Sequence, residues 1–576
     1  MKRRSFIAGL ATTAVVAAVS ACGSSSSTTS ASSSAAAAAT KGGTLNILMS
    51  TKVEHWDPQR VYVGVNIESG NRMFTRTLVS WTTVTSDTEQ AKLVADLATD
   101  TGKVSEDGKT WTFTLKDGIK WQDGKDVTAE DVKYGISRTF AVDVITGGPN
   151  YAISFLDIPD DPAGGSAYKG PYSKVGQDLY DKAVTISGKT ITFKLRTPVM
   201  DFNNTVTMTA FAPFRQDKDL GDKSNYEIFS NGPYKLEGAW TAEKGGTFVR
   251  NDQWAESTDT IRKAYPDKIV WDESLTAETM YERLIADQAA DKNAITFDQA
   301  PVTALPNVES GAKGRFTIVA SPYTRYMTLN FRSKVFSNAK AREAFALATD
   351  RSAYVTAVGG ATVAKATNSL INPALPAFPN TPLPAGDKGD QAKAKALLQE
   401  SGLTLPVKIV VAYRKSDTAD KVFSGLKTAW DAAGFSVQLE GFASKYYQTI
   451  QAPDAATKYD ACWAGWGADY PSASTVIPAL LDSRINITSG GAGQDYGWFE
   501  DKDFNAKIDA TNKIADMTAR EKAWGDLDKE LTTVKFAIVP LIVDNFVFVH
   551  GSNVQGAFVN GTYTGYYDPA TISVKS

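Results

Sequence analysis

Apolar residues fall at every second position in three short stretches of the first third of the chain. Leu45, Ile47 and Met49 alternate over residues 42–49, and Trp56-Asp57-Pro58 ends that pattern. Gly108-Lys109-Thr110-Trp111-Thr112-Phe113-Thr114-Leu115 and Gly188-Lys189-Thr190-Ile191-Thr192-Phe193-Lys194-Leu195 alternate likewise and nearly repeat each other. Period two marks a half-buried strand, because successive side chains leave a strand on opposite faces. Asp107-Gly108 and Ser187-Gly188 supply the turns that open the two echoing strands. The likeness is too short for a repeat architecture and predicts paired hairpins in one subdomain.

The helical period appears next. Thr128-Ala129-Glu130-Asp131 resembles a capping box, and the helix after it places Val132, Ile136 and Phe140 on one face. Residues 143–180 are rich in Gly, Pro, Asp and Tyr and read as an extended surface insertion. Further on, residues 338–348 form a helix with Ala341, Ala344, Phe345 and Ala348 inward, and residues 393–401 form another, stopped by Gly402. A continuous apolar strand over 407–413 is followed by a helix over 418–433, with Val422, Leu426, Trp430 and Ala433 on one face. Gly434 and a strand over 435–439 come next. Strand, helix, strand in that space is a βαβ unit and implies a parallel sheet flanked by helices. Residues 532–549 are again strand-rich, with Pro540 inside them.

The N-terminus has a different pattern. Lys2, Arg3 and Arg4 precede an apolar run over 6–19, which closes on Val19-Ser20-Ala21-Cys22. The run is too short to span a bilayer and has the flanks of an export signal. The junction resembles the lipobox of bacterial lipoproteins, whose cysteine receives a diacylglycerol. Arg3-Arg4-Ser5-Phe6-Ile7 also resembles a twin-arginine signal. Residues 1–21 are expected to be a signal peptide. Residues 22–41 are expected to be a lipidated Cys22 and a flexible Ser/Ala tether, too poor in apolar groups to offset the entropy of ordering. The mature protein would then be anchored on the extracytoplasmic face of the cell membrane.

Composition narrows the functions. The chain has 61 basic and 64 acidic residues; without Lys2, Arg3 and Arg4 the balance is 58 against 64, which disfavours a nucleic-acid partner. There are two cysteines and two histidines, and if Cys22 is lipidated Cys462 has no partner for a disulfide. His55 and His550 are too far apart for an H-E-x-x-H site, and there is no G-x-S-x-G elbow or phosphate-binding G-x-x-x-x-G-K-[ST] loop. No cofactor is expected. The 12 Trp, 22 Tyr and 26 Phe point to binding rather than chemistry. An anchored hydrolase is the alternative from another class. The missing nucleophile motifs argue against it and leave only an Asp/Glu pair acting on glycosides.

Several segments in order resemble the peptide- and nickel-type solute-binding proteins of ABC importers, family 5. They begin with Ser105-Glu106-Asp107-Gly108-Lys109-Thr110-Trp111-Thr112-Phe113-Thr114-Leu115-Lys116-Asp117-Gly118-Ile119-Lys120-Trp121. Asp123-Gly124-Lys125, Asn231-Gly232-Pro233-Tyr234, Arg250-Asn251, Asn330-Phe331, Arg342-Glu343-Ala344 and Ala348-Thr349-Asp350-Arg351 follow. The last is Gly465-Trp466-Gly467-Ala468-Asp469-Tyr470-Pro471. The resemblance implies an α/β, two-lobed periplasmic-binding-protein-like fold (class II, cluster C type) with an inserted subdomain and two hinge strands. The expected division is lobe I over 42–83, 205–328 and 546–576, its inserted subdomain over 84–204, and lobe II over 329–545. It also implies a receptor without enzymatic activity, acting as a monomer, that hands oligopeptides to an ABC permease and its ATPase.

In the family's peptide binders the Asp of the late motif holds the peptide amine, which here is Asp469. Trp466, Gly467, Ala468 and Tyr470 are expected beside it as ligand-binding residues. Trp463 is expected in the core and Cys462 to be a small buried residue. No metal site is expected. Two departures bear on the ligand: Ser472-Ala473-Ser474 replaces the usual acidic residue after the motif's proline, and the 143–180 insertion is long. Relatives of this shape also take nickel chelates, sugars, opines and heme. Two histidines give little to hold nickel, whereas the aromatics suit sugars.

Overall fold

The computed structural model describes residues 39–575 apart from 87–88, 163, 489 and 562–564. Cys22 and the leader lie outside the described residues.

Among the described residues the strands form sheets of five, six and four strands and two strand pairs. In the five-stranded sheet Thr44–Leu48 runs parallel to Lys268–Asp272 and to Ala294–Ile295, and Gly245–Arg250 and Tyr234–Thr241 extend it antiparallel. Leu45, Ile47, Phe248, Ile269 and Trp271 bury one core there.

The two echoing stretches pair with each other. Thr110–Thr114 lies antiparallel to Thr190–Lys194, with Trp111 opposite Phe193 and Phe113 opposite Ile191. Each also forms a hairpin with its own neighbour, Lys103–Val104 and Val184–Ser187, so four strands make one sheet. The helix Ala129–Arg138 packs on it. Thr128 accepts from the Asp131 amide while the Asp131 carboxylate accepts from the Thr128 amide, closing the capping box. Val132, Ile136 and Phe140 are buried in the same core.

Residues 143–180 differ from the expected surface insertion. They contain the helices Tyr151–Phe155 and, at their end, the start of Gln177–Ala183. Tyr168 and Tyr180 are buried and stacked 4.7 Å apart. Gly and Pro break the regular backbone, but the tyrosines between them still have large apolar bodies to bury.

The βαβ unit forms as the periodicity requires. Val407–Arg414 and Phe435–Phe442 are parallel, joined by the helix Asp417–Ala432, which ends at Gly434 with φ of +96°. Trp430 stacks on Phe345 of the helix Ala339–Ala348 at 4.5 Å. The C-terminal strand-rich region is shorter than its pattern suggested: the helix Met517–Thr533 runs into it, and the strand is Ile538–Val549.

Two long strands belong to more than one core. Phe316–Leu329 and Ile538–Val549 pair antiparallel from Phe316 opposite Val549 to Thr328 opposite Ile538, with irregularities between Ala320 and Thr324 and between Arg325 and Tyr326. At one end Phe546 and Phe548 join the core of the five-stranded sheet. At the other, Met327, Leu329, Val539 and Leu541 join the core around the βαβ unit. A pair of strands that leaves one hydrophobic body and enters another, with a bulge between, is the geometry of a hinge.

Candidate functional site

The strand Ala461–Gly467 lies antiparallel to Phe316–Leu329, with Gly465 opposite Arg325 and Gly467 opposite Tyr323. A Cβ on Gly467 would stand 2.9 Å from the Tyr323 ring, and one on Gly465 would stand 2.4 Å from Arg325 Nη1. The glycines let these two side chains lie across the strand. Arg325 is held there by Asp544, 2.7 Å away on the other long strand.

The strand ends at Gly467 and the chain turns through Ala468, Asp469 and Tyr470. Thr475 fixes that turn. Its hydroxyl accepts from the Asp469 amide at 3.2 Å, and its carbonyl accepts from Trp466 Nε1 at 2.8 Å. Trp466, Gly467, Ala468 and Asp469 thereby line a cavity of about 230 Å³. Tyr62, Gly64 and Ile67, at the start of the helix Gly64–Met73, line it from the other body. Pro322, Tyr323 and Tyr566 complete its wall.

Asp469 is partly accessible from this cavity. Tyr62 donates its hydroxyl to Asp469 Oδ2 at 2.9 Å, and Tyr151 donates to the same oxygen in a very short contact. Burial pushes the carboxyl up to about 6, and the two phenol donors hold it down against a larger rise. Among the described residues no lysine or arginine forms an ion pair with it. A carboxylate aimed into a cavity, held by neutral donors and lacking a protein cation, can take an ammonium group. Burial and the negative charge of Asp469 both push the Tyr62 and Tyr151 hydroxyls above their usual range, so they stay protonated donors.

The other expected residues have separate places. Tyr470 is 1 % exposed and packs in the core of the four-stranded sheet, where Thr205 donates to its hydroxyl at 3.1 Å. Trp463 is half-buried between two cores and donates to the Tyr354 hydroxyl. Cys462 is buried, and burial pushes its thiol up. His55 is held below its usual range by burial, and His550 meets the Gly551 carbonyl at 3.0 Å. Among the described residues no group of three His, Cys, Asp or Glu is placed to hold a metal ion.

The sequence pattern did not single out Tyr62, Tyr151, Tyr323 or Tyr566. Tyr62 and Tyr151 lie 407 and 318 residues from Asp469 in the chain, so no local spacing connects them. The only signal was the excess of tyrosine in the irregular 143–180 stretch.

A model of the bacterial extracellular solute-binding proteins, family 5 middle region, matches residues 92–487. The chain belongs to this family. Family 5 members are transport receptors, not enzymes, and this chain is one of them. Two relatives share its length. The oligopeptide-binding protein OppA of Bacillus subtilis is 24% identical over 552 residues, covering 91% of this chain and 92% of the relative. The periplasmic oligopeptide-binding protein OppA of Salmonella typhimurium is 26% identical over 507 residues, 82% of each chain. Among solved structures, the clavulanic acid biosynthesis oligopeptide binding protein 2 superposes with a TM-score of 0.82 at 25% identity, covering 93% of this chain and 96% of its own. The fold is the two-lobed periplasmic-binding-protein type that the motifs implied.

Proposed function

We propose that this family 5 protein is an extracytoplasmic receptor that captures oligopeptides between its lobes and delivers them to the permease of an ABC importer. The observation that carries the reading is Asp469: a carboxylate at the wall of a cavity, met by two phenol hydroxyls and, among the described residues, by no protein cation. A peptide's N-terminal ammonium is the complement of such a group. Backbone groups of the glycine-rich strand end offer the kind of pairing an extended peptide uses, and Trp466, Tyr323 and Tyr566 offer apolar walls. The relatives named as oligopeptide-binding proteins support the same class of ligand.

On this reading lobe I comprises 42–83, 205–328 and 546–576 with the inserted subdomain over 84–204, lobe II comprises 329–545, and the hinge bends at the bulge between Ala320 and Thr324, just before the crossing. Closure about that bulge brings Tyr62 and Tyr151 against Asp469, so the bound amine is enclosed. A monomer suffices for this. Cys22 carries the lipid anchor, and the tether holds the receptor close to its permease and ATPase.

Two experiments test the reading. Incubation with a library of free peptides, followed by native mass spectrometry, should show peptides retained at unchanged mass; retention of oligosaccharide instead, or cleavage of the peptides, contradicts it. Cys22→Ser should release the protein from the membrane or leave it uncleaved, since a diacylglycerol's two chains are what make attachment stable. A variant still processed and membrane-bound contradicts the anchor.

A further inference from the structure

A second cavity, of about 290 Å³, adjoins the first, with Tyr566 in the wall of both. Its floor is built at the carboxyl ends of two parallel strands. Ser50 and Thr51 follow Thr44–Leu48, and Phe297 and Asp298 follow Ala294–Ile295. Ligands of open α/β sheets bind in this position, beyond the carboxyl ends of the strands. Asp298 is the one charged group in the lining. Its Oδ2 accepts from the Ser50 amide at 2.6 Å, the Ser50 hydroxyl at 2.8 Å and the Thr51 amide at 2.9 Å. These donors are neutral, so they orient the carboxylate without cancelling its charge, and all three sit on Oδ2. No lysine or arginine forms an ion pair with it among the described residues.

Apart from Gln299, the rest of the wall is aromatic: Phe297, Phe546, Phe548 and Tyr566. Tyr566 stacks on Phe546 with ring centres 5.7 Å apart and stands edge-on to Phe297 at 6.5 Å. A carboxylate at the end of an aromatic box suits a cation carried on an apolar stem: the rings take the stem and attract the charge, and the carboxylate pairs with it. The charges around the two cavities agree. Among the described residues they are lined by Asp469 and Asp298 and by no lysine, arginine or histidine. Arg325, on the hinge strand nearby in sequence to Tyr323, is already taken by Asp544.

We propose that the Asp298 cavity is a subsite for a basic side chain of the bound peptide, a lysine ammonium or an arginine guanidinium, so that the receptor prefers peptides carrying a cation besides their N-terminal amine. This rests on the peptide reading above, in which Asp469 takes the amine. Acidic side chains are disfavoured in the same place, because they would meet Asp298 without a counter-charge.

Calorimetry with tetra-alanine and its single lysine, norleucine and glutamate replacements at each later position tests the assignment. Norleucine keeps the stem and removes the charge. At one position lysine should bind about 10-fold or more tighter than norleucine, the size expected of a well-placed, partly buried charge pair, and glutamate should bind weakest. Asp298→Asn should bring the lysine-to-norleucine ratio to within about 2-fold, while Asp469→Asn weakens all the free-amine peptides together and keeps the ratio. The wild-type ratio should also shrink at about 0.5 M salt, a readout that needs no variant to fold. Equal binding of lysine and norleucine peptides at every position overturns the subsite and leaves the peptide reading intact, as does a lysine preference that survives in a folded Asp298→Asn protein. Failure of every peptide to bind overturns the peptide reading and the subsite with it.

Discussion

Asp469 and Asp201 are both aspartates that meet hydroxyl groups across the junction between the late loop and the first part of the chain, and their surroundings are opposite. Asp469 faces a cavity, and the tyrosines that reach it come from far along the sequence. Asp201 is 2 % exposed, and the loop comes to it: Ser472 and Ser474 donate to its Oδ2 at 2.8 and 2.7 Å. Ser472 Oγ also lies 3.3 Å from Glu521 Oε1 on the helix Met517–Thr533. One hydroxyl proton cannot serve two carboxylates, and Glu521 Oε2 is buried without a hydrogen-bond partner. Burial, and then the charge of Asp201, push the Glu521 carboxyl up to about 7; Arg520 opposes this. The serines at the position where the family resemblance expects an acidic residue therefore have a use, since a third carboxylate there would have no proton to share. The contrast teaches that access to the cavity decides the role. The open carboxylate is available to a ligand, whereas the sealed pair fastens the two bodies together and is indifferent to what is bound.

After the loss of the Asp469 charge itself, the largest effect should follow from breaking the sealed contact. Ser472→Ala with Ser474→Ala strips Asp201 of both hydroxyl donors in the closed form, where hydrogen bonds to a charged group are worth about 1.5–3 kcal/mol each. Part of that returns as water enters, so affinity should fall about 30- to 100-fold for every ligand, charged or not. Calorimetry with free and N-acetylated peptides checks this, and a loss confined to free-amine peptides would merge the two sites into one.

The next effect is in pH. Glu521 is raised from the usual 4.5 to about 7 where it is sealed, and opening to water would restore the usual value. The closed form then binds more protons, so closure is favoured at low pH and weakens as pH rises through about 7. Asp469 acts in the other direction, because below about 6 it protonates and an ammonium loses its partner. Free-amine peptides should bind best at or just below about pH 6 and lose affinity up to about pH 7, above which it levels off. N-acetylated peptides should lack the acidic limb. Glu521→Gln should lack the alkaline limb and bind about 10-fold tighter than wild type at about pH 8.5. An alkaline limb that persists in Glu521→Gln would place the titration elsewhere.

The smallest effect is expected at the tyrosines. Tyr151→Phe removes one neutral donor from Asp469, which should raise its carboxyl further and weaken free-amine peptides about 3- to 10-fold. The acidic limb should move upward with it. A pH profile unchanged by the substitution would separate Tyr151 from the site.

Much of the scaffold could be read from the chain. The alternation at Trp111 and Phe113, the capping box at Thr128, and the helix carrying Trp430 between two parallel strands are local patterns, and local patterns survive folding. The late Gly-Trp-x-Ala-Asp-Tyr segment led to Asp469, Trp466, Gly467 and Ala468, which do line one cavity. Tyr470, in the same run, packs into a core instead, because the turn after Gly467 rotates it away from its neighbours. Tyr62 and Tyr151 were invisible because their role depends on contacts hundreds of residues distant. The insertion over 143–180 read as surface because Gly and Pro hide the packing of its tyrosines. Pro540, noted inside the strand-rich stretch, sits opposite Tyr326 at an irregularity of the long strand pair, a position a proline tolerates within a strand.

The central claim is that Asp469 holds a peptide amine while the sealed carboxylates do not. Asp469→Asn keeps the side chain's shape and removes its charge. Losing one member of an enclosed charge pair typically costs about 2–5 kcal/mol, roughly 30- to several-thousand-fold in affinity. Calorimetry of wild type and variant with one peptide in free-amine and N-acetylated forms measures it directly. The account predicts a loss of at least about 30-fold for the free amine and under about 3-fold for the acetylated form. Equal losses for the two forms, or none for either, would contradict it.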